Sequence, residues 1–305
     1  MDVDKNNYWN REKECEQLFL DNGPYYYITT ENLDRALYKS REEFMMGTNM
    51  VAIASARSGM DVLDDVEMTN HHHIMGRGDI SRVQGFVDFL RDSQRKLQRS
   101  LGNPPLKDWN IQIEETVDLK QFRNRICYTD RNAYVARFDA MPTGYPWGSA
   151  NLFFNGNLWL FDKGIEYPKV GGREKRIICR SHNVDLPEHY RVLDGMILRS
   201  SFVKYRITES LFNNANQYFS LLTRRGEADI EIARILGENI QIPIEETFQI
   251  VASWFPGKGI RQMTQYERLE AAKMMKTRLN SSNRIISIVL QLPASTVNSM
   301  FPAPK

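Results

Sequence analysis

MDVLDDVEMTNHHHIM, Met60–Met75, is the stretch on which the reading of this chain turns. Its first half sets Val62, Val66 and Met68 at even spacing, the period of a strand and not of a helix. Thr69-Asn70 supplies turn residues, and His71–Met75 continues as a second extended run. Two short strands joined by a turn therefore stand early in the chain. The stretch also poses a chemical question, because three of the five histidines lie side by side in it. Side chains alternate between the faces of a strand, so His71 and His73 point one way, His72 and Ile74 the other. Two imidazoles on one face can share a metal or hold a phosphate. From the spacing alone, an exposed hydrogen-bonding patch reads equally well.

Upstream, the first twenty-odd residues read as a helix stopped by Asp21-Asn22-Gly23-Pro24. Tyr25–Thr30, aromatic or β-branched throughout, reads as a strand. Glu42–Arg57 is free of proline and rich in helix formers, and Ser58-Gly59 ends it. Downstream of Gly76-Arg77-Gly78-Asp79 the period becomes helical. Val83, Phe86, Val87, Leu90, Leu97 and Leu101 form one stripe, and Arg82, Arg91, Arg95, Lys96 and Arg99 make the rest basic. Trp109–Val117 alternates as another strand, and Asp118 is placed to cap the next helix. This order predicts an α+β fold, an antiparallel sheet covered by helices on one side. Gly164–Arg180, glycine-rich and basic, reads as a connection, and the remainder as helical. Near the end, YERLEAAKMMKTRLN, SNRIISIVLQ and LPASTVNSMF read as helix, turn, helix, break and short final helix. That is the pattern of a helix-turn-helix.

The 305 residues suffice for two domains, and 42% hydrophobic with 26% charged residues is the composition of an ordinary globular protein and not of a disordered chain by default. No apolar run approaches the roughly 20 residues that span a bilayer. The polar start MDVDKNNYWNREKE is unlike a secretory signal. Cys15, Cys127 and Cys179 are odd in number and lack C-x-x-C spacing. That argues against a disulfide framework or a cysteine zinc site and predicts a reducing, cytoplasmic setting. A net charge of +2 leaves nucleic-acid binding to local basic clusters.

In RNRICYTDRNAYVARF (residues 123–138), Tyr128 and Asn132 lie one turn apart and share a helix face, with Arg125 a turn earlier on much the same stripe. Phe122 and Ile126 form another stripe that can bury. A phenol is a candidate nucleophile, an amide oxygen a candidate ligand, and a guanidinium a candidate phosphate clamp. The sequence predicts that this face is exposed.

Taken together, these segments resemble the HUH endonucleases, and among them the single-tyrosine REP-associated tyrosine transposases. MTNHHHIM is similar to their histidine–hydrophobe–histidine strand, ICYTDRNAYVARF to their tyrosine helix, and YPWGSA to the Y-x-W-S-S segment beyond it. PYYYITTENL is similar to their opening strand. The resemblance covers Pro24–Phe154, roughly half the chain. His72 stands in place of the usual hydrophobe, Ala133 of the proline and Gly148 of the first serine. The loss of that proline lets the tyrosine helix run further.

The resemblance implies a ferredoxin/RRM-like HUH domain over 24–160, after an N-terminal extension 1–23. A basic linker and helical extension (161–225) and a helical domain with the helix-turn-helix (226–305) follow. It implies that His71, His73 and Asn132 hold one divalent cation, magnesium or manganese. Tyr128 then attacks a phosphodiester of single-stranded, hairpin-forming DNA, leaving a 5′-phosphotyrosine link and a free 3′ hydroxyl. Arg82, Arg91, Arg95, Lys96, Arg99 and Arg125 are the expected DNA contacts, with duplex DNA met by the helix-turn-helix. The expected setting is cytoplasmic and nucleoid-associated, as monomer or homodimer, with no membrane partner. Two other readings stand beside this one: a domesticated DNA-binding regulator that does not cut, and a replication or mobilisation initiator nickase.

Overall fold

A computed structural model of the chain describes residues 5–31, 33, 35–106, 109–136, 142–161, 163–223, 244–278, 281 and 283–302. The chain divides into two units, residues 1–134 with 139–225, and 135–138 with 226–305. In the first unit, α1 (Lys5–Asn22) leads to β1 (Tyr25–Thr30), α2 (Arg41–Ser58), β2 (Asp61–Glu67) and β3 (His72–Arg77). Then come α3 (Ile80–Ser100), β4 (Ile111–Thr116) and α4 (Leu119–Ala136). The strands pair antiparallel in the order β2-β3-β1-β4, two interleaved β-α-β units.

Local chemistry sets the helix ends. Ser40 Oγ accepts the Glu43 N–H, and Asp79 accepts the Arg82 N–H. Asp118 accepts the Gln121 N–H at the start of α4. Gly59, at φ 71, closes α2 by donating its N–H to Ser55, a conformation that suits glycine.

Helices cover both faces of the sheet, not one. Tyr26, Ile28 and Ile74 join Val83, Phe86 and Leu90 of α3 and Val51 of α2 in one core. On the opposite face Tyr25 stacks on Phe19 of α1 at 4.6 Å between ring centroids and meets Phe122 of α4 edge-on at 5.2 Å. The cause is β1 itself, which carries a bulky side chain at nearly every position and is buried throughout; such a strand needs cover on both sides.

A bulge in β2 changes the parity read from the even spacing of Val62 and Val66. The register slips between Val62 and Asp64, so Val62 pairs with Gly76 while Val66 pairs with His73, on the other face. Asp64 consequently faces α4, whereas Asp65 and Glu67 face α2 and α3, beside Ile74 and His72.

The segment expected as a linker is folded into the first unit. It holds α5 (Leu158–Phe161), β5 (Ile165–Glu166), α6 (Gly172–Cys179), β6 (Arg191–Leu193) and β7 (Met196–Ile197). α7 (Arg199–Phe202), α8 (Tyr205–Ser210) and α9 (Ala215–Thr223) follow. The three short strands form a sheet where a basic connection followed by helix was expected. Tyr167, Ile178, Val192, Ile197 and Phe202 extend the main core. In the second unit, α10 (Ile244–Trp254), α11 (Gln265–Arg278), α12 (Asn283–Leu290) and α13 (Ala294–Met300) pack around Ala272, Met275, Ile286, Val289 and Val297. Gln291, at φ 53, and Leu292-Pro293 break the chain between the last two helices. Among the described residues no helix is long and apolar enough to cross a membrane.

One close approach in this core is directly testable. A Cβ on Gly47 of α2 would lie 2.8 Å from Glu67 Oε2 and from the Tyr38 ring, both buried. Gly47→Ala is expected to destabilise the fold by about 1–3 kcal/mol, as overpacking does, although alanine is the better helix former. Urea denaturation of the two proteins measures it.

Candidate active site

The turn before β3 is tied by the Met68 N–H donating to the His71 carbonyl. Asn70 donates its amide to the Leu33 carbonyl at 2.7 Å, which leaves Asn70 Oδ1 facing His71 Nδ1 at 2.9 Å. An amide oxygen only accepts, so His71 carries its proton on Nδ1 and its Nε2 presents a lone pair. That lone pair meets His73 Nε2 at 2.9 Å, and His73 Nδ1 lies 2.8 Å from Tyr27 Oη. Burial holds the His71 pKa well below its ordinary value and lowers that of His73 to about 3. Both rings are therefore neutral near pH 7, the form that ligates metals.

Two proton arrangements fit His73. With the proton on Nε2 it donates to His71, and Tyr27 donates to Nδ1. With the proton on Nδ1 it donates to Tyr27, and two lone pairs converge on one point. The second arrangement is that of a metal chelate whose outer nitrogens are each anchored. The 2.9 Å between the two Nε2 atoms, the length of an imidazole–imidazole hydrogen bond, is also close enough for both nitrogens to reach one ion.

α4 carries Tyr128 and Asn132 to this same face. The Tyr128 ring stands edge-on to His73 at 5.8 Å. Asn132 donates its amide to the Tyr128 carbonyl at 3.0 Å, and its Oδ1 is buried without a hydrogen-bond partner. That orphaned oxygen is what a third ligand would offer. Among the described residues no group of three or more His, Cys, Asp or Glu is placed to hold a metal, so two imidazoles and an amide are the available set. The helix face expected to be exposed is buried: Tyr128 is 2% and Asn132 1% accessible. The outward-facing side chains of β1 and β3 require that cover.

His72 points into the opposite core, where its Nε2 meets Tyr38 Oη at 2.7 Å and Tyr38 donates to Gln94 Oε1 at 3.0 Å. Arg125, expected to clamp a phosphate, turns inward. It binds Glu114 Oε2 at 2.7 Å and Thr116 Oγ1 at 2.9 Å, and its guanidinium covers the Tyr27 ring at 5.1 Å. It thus braces Tyr27, which in turn contacts His73. The basic residues of α3 lie in the layer on the other side of the sheet from Tyr128. Arg82 is paired with Asp79, Arg91 with Asp88, and Arg95 donates to the Leu106 carbonyl. Lys96 and Arg99 are exposed in that same layer.

Two polar clusters escaped the sequence reading. Arg199 sits buried between Asp65 and Glu67, 2.9 Å from each. Behind Tyr128, Asp130 accepts from Tyr218 Oη at 2.7 Å and lies near Asp64. Burial raises the pKa of Asp130 to about 7 and that of Asp64 well above the carboxylate range. No local signal marks either cluster, because the hydrogen-bonded partners are 88 to 134 residues apart.

No protein-family model, no curated protein and no solved structure matches the chain.

Proposed function

We propose that the first unit is a metal-dependent, HUH-type endonuclease or strand transferase for single-stranded DNA, akin to the REP-associated tyrosine transposases. One observation carries the reading: the His71 and His73 Nε2 atoms converge at 2.9 Å beside the ring of Tyr128, on one face of the sheet. The orphaned Asn132 Oδ1 and the β-α-β-β-α-β strand order, which suits a ferredoxin/RRM-like domain, support it.

His71, His73 and Asn132 would hold magnesium or manganese, which would supply Lewis-acid polarisation of a phosphodiester. Tyr128 Oη forms a bond to phosphorus as the bond from phosphorus to the 3′ oxygen breaks. The phenol loses its proton and the departing 3′ oxygen gains one, so no oxidant or reductant takes part. The 5′-phosphotyrosine ester keeps the reaction reversible by a second 3′ hydroxyl. Asn70 and Tyr27 orient the two imidazoles, and Arg125 positions Tyr27. Hairpin-forming strands are the proposed substrate, duplex DNA the proposed partner of α11–α13, and the bacterial-type cytoplasm the proposed setting.

The burial of Tyr128 means that its cover must open before DNA reaches the phenol. That burial favours a second reading, a regulator that binds DNA through this fold without cutting it.

The test is incubation with hairpin oligonucleotides and manganese, followed by a denaturing gel. A retarded protein–DNA band that EDTA abolishes is expected. A broad pool that binds but yields no such band leaves the regulator reading in its place. Manganese binding itself, followed by electron paramagnetic resonance, is expected to weaken at least about tenfold in His71→Ala. His72→Phe, altered on the far face, keeps wild-type affinity. Equal affinity in wild type and His71→Ala would dismiss the ligand pair.

A further inference from the structure

A cavity of about 340 Å³ opens at the outer edge of β2. Its floor is an edge strip alongside that strand: Gly148 bridges to Val66, Ser149 donates to the Asp65 carbonyl, and Glu67 donates to that of Trp147. Val66 in turn pairs with His73. Adjacent strands lie about 4.8 Å apart, so this strip runs roughly 10 Å from the His73 backbone. Arg199, which lines the cavity, sits between Asp65 and Glu67 on the α2/α3 face, so the imidazole pair lies across the sheet and a strand joining the two passes round the β2 edge.

The lining has a definite chemistry. Leu152, Leu158 and Leu198 offer apolar walls, while Asn151, Ser200 and Thr143 supply donors and acceptors. Arg199 reaches the cavity too, but Asp65 and Glu67 already bind its guanidinium. No uncompensated cation is left there for a phosphate. An uncharged group with both apolar and hydrogen-bonding surface fits better, in a cavity of the size that small ligands use, and a nucleobase is such a group. The wall between Leu152 and Asn155 is held by Phe154 at φ 55, a left-handed conformation unfavourable for an aromatic residue, and such strain concentrates at ligand sites. The helix that supplies Leu158 also carries Trp159, which is 72% exposed. An exposed indole is a stacking surface for unpaired bases.

We infer that this cavity is a subsite for one unpaired nucleobase of the strand cut at Tyr128, with Trp159 stacking a neighbouring base. The inference rests on the single-stranded DNA reading above and adds to it the element that sets strand register. Phosphates run outside the cavity, and the amide of Asn151 at its rim reads the base edge.

The experiment is an abasic scan. A labelled hairpin strand and a set lacking one base each are titrated into the full chain and followed by fluorescence anisotropy. In wild type, one abasic position is expected to weaken binding about tenfold, as loss of one stacked base does. In Ser200→Phe, which fills the cavity, the intact strand binds about tenfold more weakly and the penalty at that position disappears. Trp159→Ala is expected to weaken binding at an adjoining position. Asn151→Ala, at an exposed rim residue, gives the same readout if Ser200→Phe does not fold. An abasic pattern identical in wild type and the variants overturns the inference, as does inorganic phosphate competing with the strand in wild type but not in Ser200→Phe. If the pattern responds as expected but no covalent band forms, the subsite stands and the cutting reading fails. If the band forms with an unchanged pattern, the reverse holds. A chain that binds no single strand at all overturns both.

Discussion

Tyr128→Phe is expected to abolish the covalent protein–DNA band, lowering its yield by at least about 10³-fold, the scale of removing a nucleophile. Phenylalanine keeps the ring that stands edge-on to His73, so the packing of α4 on the sheet is retained. Only the hydroxyl is lost, a change of roughly 1 kcal/mol in stability, and the melting temperature should move by a few degrees. Strand binding by anisotropy should also persist, because the role proposed for the phenol is chemical. This combination separates a nucleophile from a merely structural tyrosine. A band that survives in Tyr128→Phe means that another residue makes the bond.

Arg199→Ala is expected to cost about 3–5 kcal/mol of folding free energy, the range for removing one partner from a buried ionic cluster. Asp65 and Glu67 are fully buried, and without the guanidinium two carboxylates would face each other in the core. Burial already outweighs the pull of Arg199 and holds both carboxyl pKa values above their ordinary range. A raised folded pKa means that the associated stabilisation is complete at pH below the unfolded carboxyl value. It is lost as pH rises through the folded value. Removing Arg199 raises those folded values further. The deficit of Arg199→Ala should therefore be larger at pH 8 than at pH 5, as read by urea denaturation at both. Replacing Arg199, Asp65 and Glu67 together by apolar residues of similar size should recover much of the loss, since no charge is then left unpaired. A pH-independent deficit would show that the charges are not its source.

Much of the first unit was legible in the sequence because its elements are marked locally. The alternation of Trp109–Val117, the stripe from Val83 to Leu97 and the caps at Asp118 and Gly59 each act within a few residues. So does strand parity at His71–His73, which separated the candidate ligand pair from His72. The one-turn spacing of Tyr128 and Asn132 placed them on one face for the same reason. Parity failed in β2, where the bulge at Leu63 sends Val62 and Val66 to opposite faces, and the chain before it carries no sign of that extra residue. Arg125 was placed on the correct stripe, but the stripe is turned toward Glu114 and not toward solvent.

The sequence by itself determined the α+β order, the approximate boundaries of the helices and strands up to α4, the helical C-terminal region and the shared face of Tyr128 and Asn132. All of these follow from backbone hydrogen bonding and side-chain period over one or two turns. Only the tertiary structure decided that helices cover both faces, that 161–223 belongs to the first unit and that Arg199 lies between Asp65 and Glu67. It also decided that the two imidazoles converge under a buried tyrosine. These depend on register and on packing between residues up to 199 positions apart, which no local period encodes.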